Sequence, residues 1–135
     1  MTDAVCAAAR AGDMARLHEL LEEGASVRNM RWSGVTPLHR ACEGGHVAVI
    51  ETLVSHGADV NAKATWGWYT PLHLAARYGH EAAIMALLHA GANWSQIDKY
   101  RATPHKYAVR AGHASMAHRI DDVCVAISYL NYDLI

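Results

Sequence analysis

Residues 70–91 read TPLHLAARYGHEAAIMALLHAG, and this stretch decides the fold prediction for the whole chain. The hydroxyl of Thr70 can cap a helix, and Pro71 suits the first helical position, because a proline there loses no intrahelical hydrogen bond. Gly79 is a typical end for this short helix, and a second helix with one apolar stripe then runs to Gly91. Helices this short are marginally stable alone, so the stretch predicts a helix–turn–helix unit that needs neighbours.

The rest of the chain supplies these neighbours at a fixed period. Thr-Pro pairs begin at residues 36, 70 and 103, and glycines that end the first helices recur at 12, 45, 79 and 112. A period of about 33 residues, built from two short helices and a connection, predicts an all-α solenoid. The prediction is a single domain, 1–135, with repeats at approximately 3–24, 36–57, 70–91 and 103–123 and a C-terminal extension at 124–135.

The repeated motifs TPLHRACEGGH, TPLHLAARYGH and GADVNA resemble those of the ankyrin-repeat family, over roughly residues 3–120. The resemblance implies an ankyrin-type helical solenoid with β-hairpin fingers between the helix pairs. It also implies non-catalytic protein–protein recognition through the finger tips and the concave face of the first helices. Histidines in the TPLH and Gly-His motifs are implied to hydrogen-bond backbone groups and to tie finger to helix.

Composition argues against several other classes of protein. The 135 residues carry a net charge of −1 with both signs mixed, so no basic patch predicts a nucleic-acid partner. No apolar run reaches the ~18 residues of a membrane span, and the N-terminus lacks a signal-peptide pattern, so we expect no membrane partner. Three widely separated cysteines indicate reduced thiols in an intracellular protein, cytoplasmic or nuclear.

The ten histidines raise the question of a metal or catalytic site. Five of them recur only because the repeat recurs, and the other five form no i, i+4 pair on one helix. The chain has no His-Glu-x-x-His, no Cys-x-x-Cys, no nucleophile elbow and no phosphate-binding glycine loop. We therefore predict no catalytic residue, no metal site and no cofactor.

All four tryptophans lie in the connecting fingers, and the second finger is one residue longer than the others. Trp94 is expected to pack on a neighbouring repeat. The other finger aromatics either pack on neighbouring fingers or form a contact patch, since Trp, Tyr and Arg dominate interface hot spots. Mapped by register, the predicted partner-binding residues are Trp32, Arg40, Trp66, Trp68, Tyr69, Arg77, Tyr78, Tyr100 and Arg110. Aromatics interleaved with arginines favour a protein segment with apolar anchors and some negative charge.

The C-terminal residues depart from the repeat in two ways. Asp121 stands at a position where the other repeats carry an apolar residue, and apolar residues continue at helical spacing from Ile120 to Leu134. This spacing predicts that the last helix runs on by two or three turns. The stripe either folds back over the end of the stack or serves as a dimerisation or partner-docking helix. A self-associating scaffold or adaptor, possible as a homodimer, is therefore the alternative function.

One smaller motif concerns Asn61. Leu53, Asp59, Val60 and Asn61 have the spacing that resembles the ankyrin substrate of asparaginyl hydroxylases. The competing interpretation is that Asn61 stabilises the turn of the finger.

Overall fold

The computed structural model describes residues 2–28 and 33–133 of the chain, with side chains from 4 to 28 and from 33 to 130. These ranges contain eight α-helices and no β-strand. The helices form four consecutive pairs: α1 (Thr2–Ala11) with α2 (Met14–Glu22), α3 (Pro37–Gly44) with α4 (Val47–Ser55), α5 (Pro71–Arg77) with α6 (Glu81–His89), and α7 (Pro104–Arg110) with α8 (Ala114–Asp133). The predicted all-α solenoid is confirmed.

The Thr-Pro pairs begin the first helices of the last three pairs. In α3 the hydroxyl oxygen of Thr36 accepts from the backbone N–H of His39 at 3.4 Å. In α7 the hydroxyl oxygen of Thr103 accepts from the backbone N–H of Lys106 at 3.2 Å. Each threonine satisfies one of the N–H groups that a helix start leaves unpaired, and the proline after it removes another.

The helices are arranged in two layers with the apolar core between them. The first helices α1, α3, α5 and α7 contact one another in order, and α4 contacts both α2 and α6 in the second layer. The largest fully buried apolar side chains alternate between the layers and are Leu17, Leu38, Ile50, Leu53, Leu72, Ile84, Leu87 and Ile120. Burial of each of these side chains contributes about 1.5–3 kcal/mol to folding. Because the core is shared between neighbouring repeats, a single repeat would lose much of this stabilisation on its own.

The fingers are joined in a row by single backbone hydrogen bonds. The second finger closes on itself where the N–H of Ala64 donates to the carbonyl of Tyr69 at 2.9 Å. The N–H of Thr65 donates to the carbonyl of Ser33, and the N–H of Lys99 donates to that of Gly67, both at 2.8 Å. Since the described parts of the fingers consist of turns and irregular backbone, the predicted β-hairpin geometry is not confirmed.

Two of the finger turns place a side chain in the left-handed backbone region. The residue two places before the Thr-Pro pair is Gly34 in the first finger, with φ 69°. At the same register Trp68 has φ 58° and Arg101 has φ 63°. The turn at Arg101 therefore keeps the glycine conformation without the glycine, which costs about 1–2 kcal/mol for an L-residue. The extra residue of the second finger, Gly67, takes a positive φ beside Trp68.

The last helix continues beyond the end of the stack, as its apolar spacing predicts. α8 is one uninterrupted helix of 20 residues. Ile120 is fully buried and Cys124 packs partly against the core, whereas Val125, Tyr129 and Leu130 are exposed. Within the predicted stripe, Val123 and Ile127 are half-buried like Cys124, and Leu130 is exposed, so burial decreases along the stripe beyond Ile120. The interpretation that the stripe covers the end of the stack stays a prediction. Leu134 lies outside the described residues.

In ranges 2–28 and 33–133 no helix combines the length and the apolar character that crossing a membrane demands.

Candidate functional site

The predicted aromatic residues divide into an exposed set and a buried set. Trp66 and Trp68 in the second finger are 65% and 51% exposed, and Tyr100 in the third finger is 78% exposed. Tyr78, at the end of α5, is 48% exposed. Large aromatic side chains with this exposure contribute little to the core, and exposed apolar surface often marks interaction sites. Trp32 lies outside the described residues.

Arg40 and Tyr69 are engaged inside the fold. The Arg40 guanidinium donates to a Glu43 carboxylate oxygen at 3.0 Å, and the other oxygen of Glu43 lies 3.7 Å from Arg10 Nε. The Tyr69 ring meets the edge of the His39 ring with 5.6 Å between centroids. Burial raises the pKa of Tyr69 above its ordinary value. Among the predicted site residues, these two are the ones with a clear structural role.

Arg77 and Tyr78 form a unit at the C-terminal end of α5. The Arg77 guanidinium carbon lies 5.8 Å from the centre of the Tyr78 ring, within cation–π distance. The Tyr78 ring is also stacked beside His80, with 6.4 Å between centroids and 27° between planes. These contacts orient the exposed tyrosine and fix the guanidinium beside it.

A cleft opens between the C-terminal ends of α5 and α7. It has a volume of about 510 Å³ and is lined by Arg77, Tyr107, Arg110 and Ala111. The Tyr107 hydroxyl donates to Asp98 Oδ2 at 2.6 Å. Burial raises the pKa of Tyr107, and the Asp98 carboxylate raises it further, so the phenol is neutral and works as a donor. The cleft thus places two arginines of the predicted set around a neutral phenol.

Both oxygens of the Asp98 carboxylate accept hydrogen bonds, from its own finger and from α7. Its Oδ1 accepts the backbone N–H groups of Tyr100 and Ala102, both at 2.8 Å, while Oδ2 accepts the Tyr107 hydroxyl. Burial acts to raise the pKa of Asp98, but these hydrogen bonds outweigh it and hold the pKa below its ordinary value. Asp98 is therefore an ionised residue that shapes the third finger.

Sequence reasoning missed Tyr107 and Asp98. Tyr107 stands at the same register as Arg40, four residues after the Thr-Pro threonine, so mapping every residue of the first helices would have found it. Asp98 follows the Asx-turn pattern, in which an aspartate accepts the N–H two residues later. Its burial depends on Tyr107, which lies on another element, and no local pattern predicts that contact.

The TPLH histidines tie the second and third fingers to the helix pairs before them, as the resemblance implies. The backbone N–H of Thr36 donates to His39 Nδ1 at 3.1 Å, and His39 Nε2 donates to the carbonyl of Tyr69 at 3.2 Å. His73 Nε2 makes the equivalent bond to the carbonyl of Ala102 at 2.9 Å. Burial lowers the pKa of His39 to about 4, so this imidazole is neutral at pH 7.

The Gly-His histidines make a second series of ties between repeats. His46 Nε2 lies 3.0 Å from the Arg10 carbonyl, and His80 Nε2 lies 3.0 Å from the Glu43 carbonyl. The ring of His80 packs so closely on Gly45 that a β-carbon there would lie 2.6 Å from it. The recurrence of these histidines therefore has a structural cause. In the part of the chain that the structure describes, no three His, Cys, Asp or Glu side chains converge as a metal site.

Asn61 stabilises the junction of the second and third fingers. Its Oδ1 accepts the backbone N–H of Asn93 at 3.2 Å, and its Nδ2 donates to the carbonyl of Gly91 at 3.4 Å. These bonds give Asn61 a structural role between two fingers, and the turn-stabilising interpretation stays a prediction.

A second groove follows the exposed part of α8. Trp94 is buried, as predicted, and its indole N–H donates to Asp121 Oδ1 at 2.7 Å. His105 Nδ1 lies 3.0 Å from the other oxygen of Asp121. The polar residue in the apolar stripe thus joins the third finger to the last helix pair. The groove beside it has a volume of about 750 Å³ and is lined by Trp94, Ser95, Asp121, Cys124, Val125, Ser128 and Tyr129.

Segments of the chain match known protein families and individual relatives. A family model described as ankyrin repeats (3 copies) matches residues 2–64, and a model of a single ankyrin repeat matches residues 68–99. The chain is 44% identical over 54 residues to a mouse (Mus musculus) 2-5A-dependent ribonuclease, a match that covers 38% of this chain and 7% of that protein. It is 43% identical over 56 residues to zygote-specific protein 3 of Chlamydomonas reinhardtii, covering 42% of the chain and 15% of the relative. It is 46% identical over 56 residues to the Bos taurus ankyrin repeat domain-containing protein 49, a match that covers 41% of this chain and 24% of that protein. The chain thus spans less than a quarter of the length of each of these relatives.

Proposed function

The chain belongs to the ankyrin-repeat family, whose members generally serve in protein–protein interaction and are typically non-catalytic, and from this we propose that it binds a partner protein. The proposed surface comprises the finger tips and the exposed ends of the first helices. Its members are Trp66, Trp68, Arg77, Tyr78, Tyr100 and Arg110, with Trp32 included from the sequence alone.

One observation carries the proposal: four large aromatic side chains, in the second and third fingers and at the end of α5, are exposed to solvent. The five histidines and the Thr-Pro pairs follow the repeat because they hold it together. Trp68, Tyr78 and Tyr100 do not recur with the repeat, whereas Trp66 stands four residues before its Thr-Pro pair, as Trp32 does. About half or more of the surface of Trp66, Trp68, Tyr78 and Tyr100 is exposed. Aromatic residues of this kind, beside arginines, form the centres of protein interfaces.

We further propose that the protein acts without catalysis and inside the cell. The matched segment of the mouse ribonuclease is a small part of that protein, so its activity is not transferred to this chain. Intracellular location is supported by the cysteine content, since a few widely separated cysteines suit a compartment that keeps thiols reduced.

Affinity capture from a cell extract tests the proposed surface. The wild-type chain is compared with a Trp66→Ala/Tyr100→Ala variant and with a Tyr129→Ala/Leu130→Ala control, which removes exposed apolar side chains from α8. Partners that bind the wild type and the control but not the finger variant are the expected result, since truncating a hot-spot aromatic costs about 2 kcal/mol or more. Equal recovery of every partner by wild type and finger variant would refute the surface.

Self-association through the C-terminal stripe is the second candidate function. The observation that favours it is the apolar groove beside α8, where Val125, Tyr129 and Leu130 are exposed together. Sedimentation velocity at increasing concentration distinguishes the two functions. A dimer that the Tyr129→Ala/Leu130→Ala variant abolishes would support self-association, and a monomer at every concentration would remove it.

A further inference from the structure

Two arginines line the cleft between α5 and α7, and none of the described carboxylates pairs with either guanidinium. Arg77 is the last residue of α5 and Arg110 is the last residue of α7. Among the described residues, neither guanidinium belongs to an ion pair. The neighbouring carboxylate, Asp98, already accepts three hydrogen bonds from its own finger and from Tyr107. Among the described residues, therefore, no carboxylate forms an ion pair with either arginine of this cleft.

The same register position is neutralised in the first half of the solenoid. Residues 10, 43, 77 and 110 stand at equivalent places at the ends of the four first helices. Arg10 and Glu43 have opposite charges and lie 3.7 Å apart, with Arg40 on the other oxygen of Glu43 at 3.0 Å. The third and fourth repeats place two like charges at this position instead. Each helix dipole stabilises its own arginine, but it does not remove the repulsion between them.

On the basis of the proposed function, we propose that this cleft binds the carboxylate of an Asp or Glu side chain from the partner protein, held between Arg77 and Arg110. A guanidinium presents a planar pair of donors that matches a carboxylate. The cation–π contact with Tyr78 fixes the Arg77 fork and places an apolar ring beside it. The partner segment thus carries an acidic residue next to an apolar one.

The helix ends favour a carboxylate over a phosphate. Both arginines stand at C-terminal ends of helices, where unpaired carbonyl groups carry partial negative charge. These carbonyls repel a dianion more strongly than a monoanion. The cleft also lacks the converging backbone N–H groups of a helix start, which phosphate sites commonly use.

Selection from a random peptide library displayed on phage, against the full chain, supplies the test ligand. The selected peptides are synthesised, and their affinities are measured by fluorescence anisotropy. We expect them to contain Asp or Glu, and replacing that residue by Asn or Gln should weaken binding at least about tenfold, because the charge-assisted hydrogen bonds are lost. Arg77→Gln and Arg110→Gln should weaken binding of the acidic peptide to a similar degree and leave binding of the neutral peptide unaffected. The four affinities form a double-mutant cycle, which isolates the contact between arginine and carboxylate.

A matched control and a charge reversal separate binding from folding. Arg119→Gln removes the same charge from α8, where Arg119 pairs with Glu81 at 2.9 Å, and should leave peptide affinity nearly unchanged. Arg77→Glu places opposite charges at residues 77 and 110, as at residues 10 and 43. Its melting temperature, measured by circular dichroism, should equal or exceed that of the wild type, while the acidic peptide no longer binds.

The outcomes distinguish this inference from the proposed function. Peptides that need Trp66 and Tyr100, but need neither an acidic residue nor the two arginines, would overturn the carboxylate site and leave the proposed function intact. A library that yields no peptide dependent on the finger tips or the arginines would overturn both. A phosphoserine that binds more tightly than the glutamate it replaces would overturn the choice of carboxylate.

Discussion

Lowering the pH from 7 to 5 should destabilise the protein, and the part of this loss due to His39 can be calculated. The backbone N–H of Thr36 donates to His39 Nδ1, while His39 Nε2 faces the Tyr69 carbonyl. The ring must therefore carry its proton on Nε2 and none on Nδ1. A second proton would break the bond to Thr36 and place a charge in the core. Burial accordingly lowers the pKa of His39 from 6.5 to about 4.

The sign and size of the effect follow from this difference. The unfolded imidazole binds a proton below pH 6.5, whereas the folded one binds it only near pH 4. The stability that the neutral His39 contributes is complete above pH 6.5 and is lost as the pH falls toward 4. Since each pH unit of this window is worth about 1.4 kcal/mol, the free energy of unfolding should fall by about 2 kcal/mol between pH 7 and pH 5 because of His39 alone.

Urea unfolding at pH 7, 6 and 5 measures this loss. A His39→Gln variant should be less stable than the wild type at pH 7, but its stability should depend less on pH by about 2 kcal/mol over the same range. His18→Gln is the control, because it removes an exposed histidine of α2. If His39→Gln loses as much stability as the wild type between pH 7 and pH 5, the reasoning is refuted. An NMR titration of the wild type in which His39 titrates near pH 6.5 would refute it independently.

Three further substitutions test other features of the fold by urea unfolding. Arg101→Gly should stabilise the protein by about 1 kcal/mol, because it relieves a left-handed turn in an exposed position; an unchanged or lower free energy of unfolding would contradict the strain. Gly79→Ala should destabilise the protein by about 2 kcal/mol or more, because Gly79 has a φ of 73° and an added β-carbon would lie 2.7 Å from the His113 ring. A neutral effect would show that the ring moves away freely. Asp121→Ala should cost about 1–3 kcal/mol and alter tryptophan fluorescence, because it leaves the buried Trp94 indole N–H without its acceptor; a stabilised variant would show that an apolar residue fits there better.

Most of the scaffold could be predicted from the sequence because the period makes each repeat a test of the others. A lone Thr-Pro pair or Gly-His pair is a weak signal, but the recurrence of both at the same spacing excludes chance. The helix starts at Thr36, Thr70 and Thr103 follow from side-chain caps that act within four residues. Such local interactions are the ones that a single sequence reveals.

The candidate site was less predictable because its members meet across repeats. Arg40 and Arg77 both lie on first helices, yet Glu43 pairs with Arg40, and no described carboxylate pairs with Arg77. Tyr69 and Tyr100 both lie in fingers, yet Tyr69 packs against the core, and Tyr100 is largely exposed. These differences depend on which side chains lie close together in space. The sequence alone shows only where each residue stands within its repeat.

The histidine ties have a consequence for how this chain could grow. Each TPLH histidine donates to a carbonyl at the end of the next finger, so the unit from Thr70 to Ala102 contains both the donor, His73, and its acceptor. Inserting a second copy of this unit after Ala102 would give every new donor an acceptor within its own copy. Excising the unit would leave His39 bonded to Tyr69 as before. Duplication or deletion of a gene segment that encodes this unit would therefore leave every histidine tie with both its donor and its acceptor.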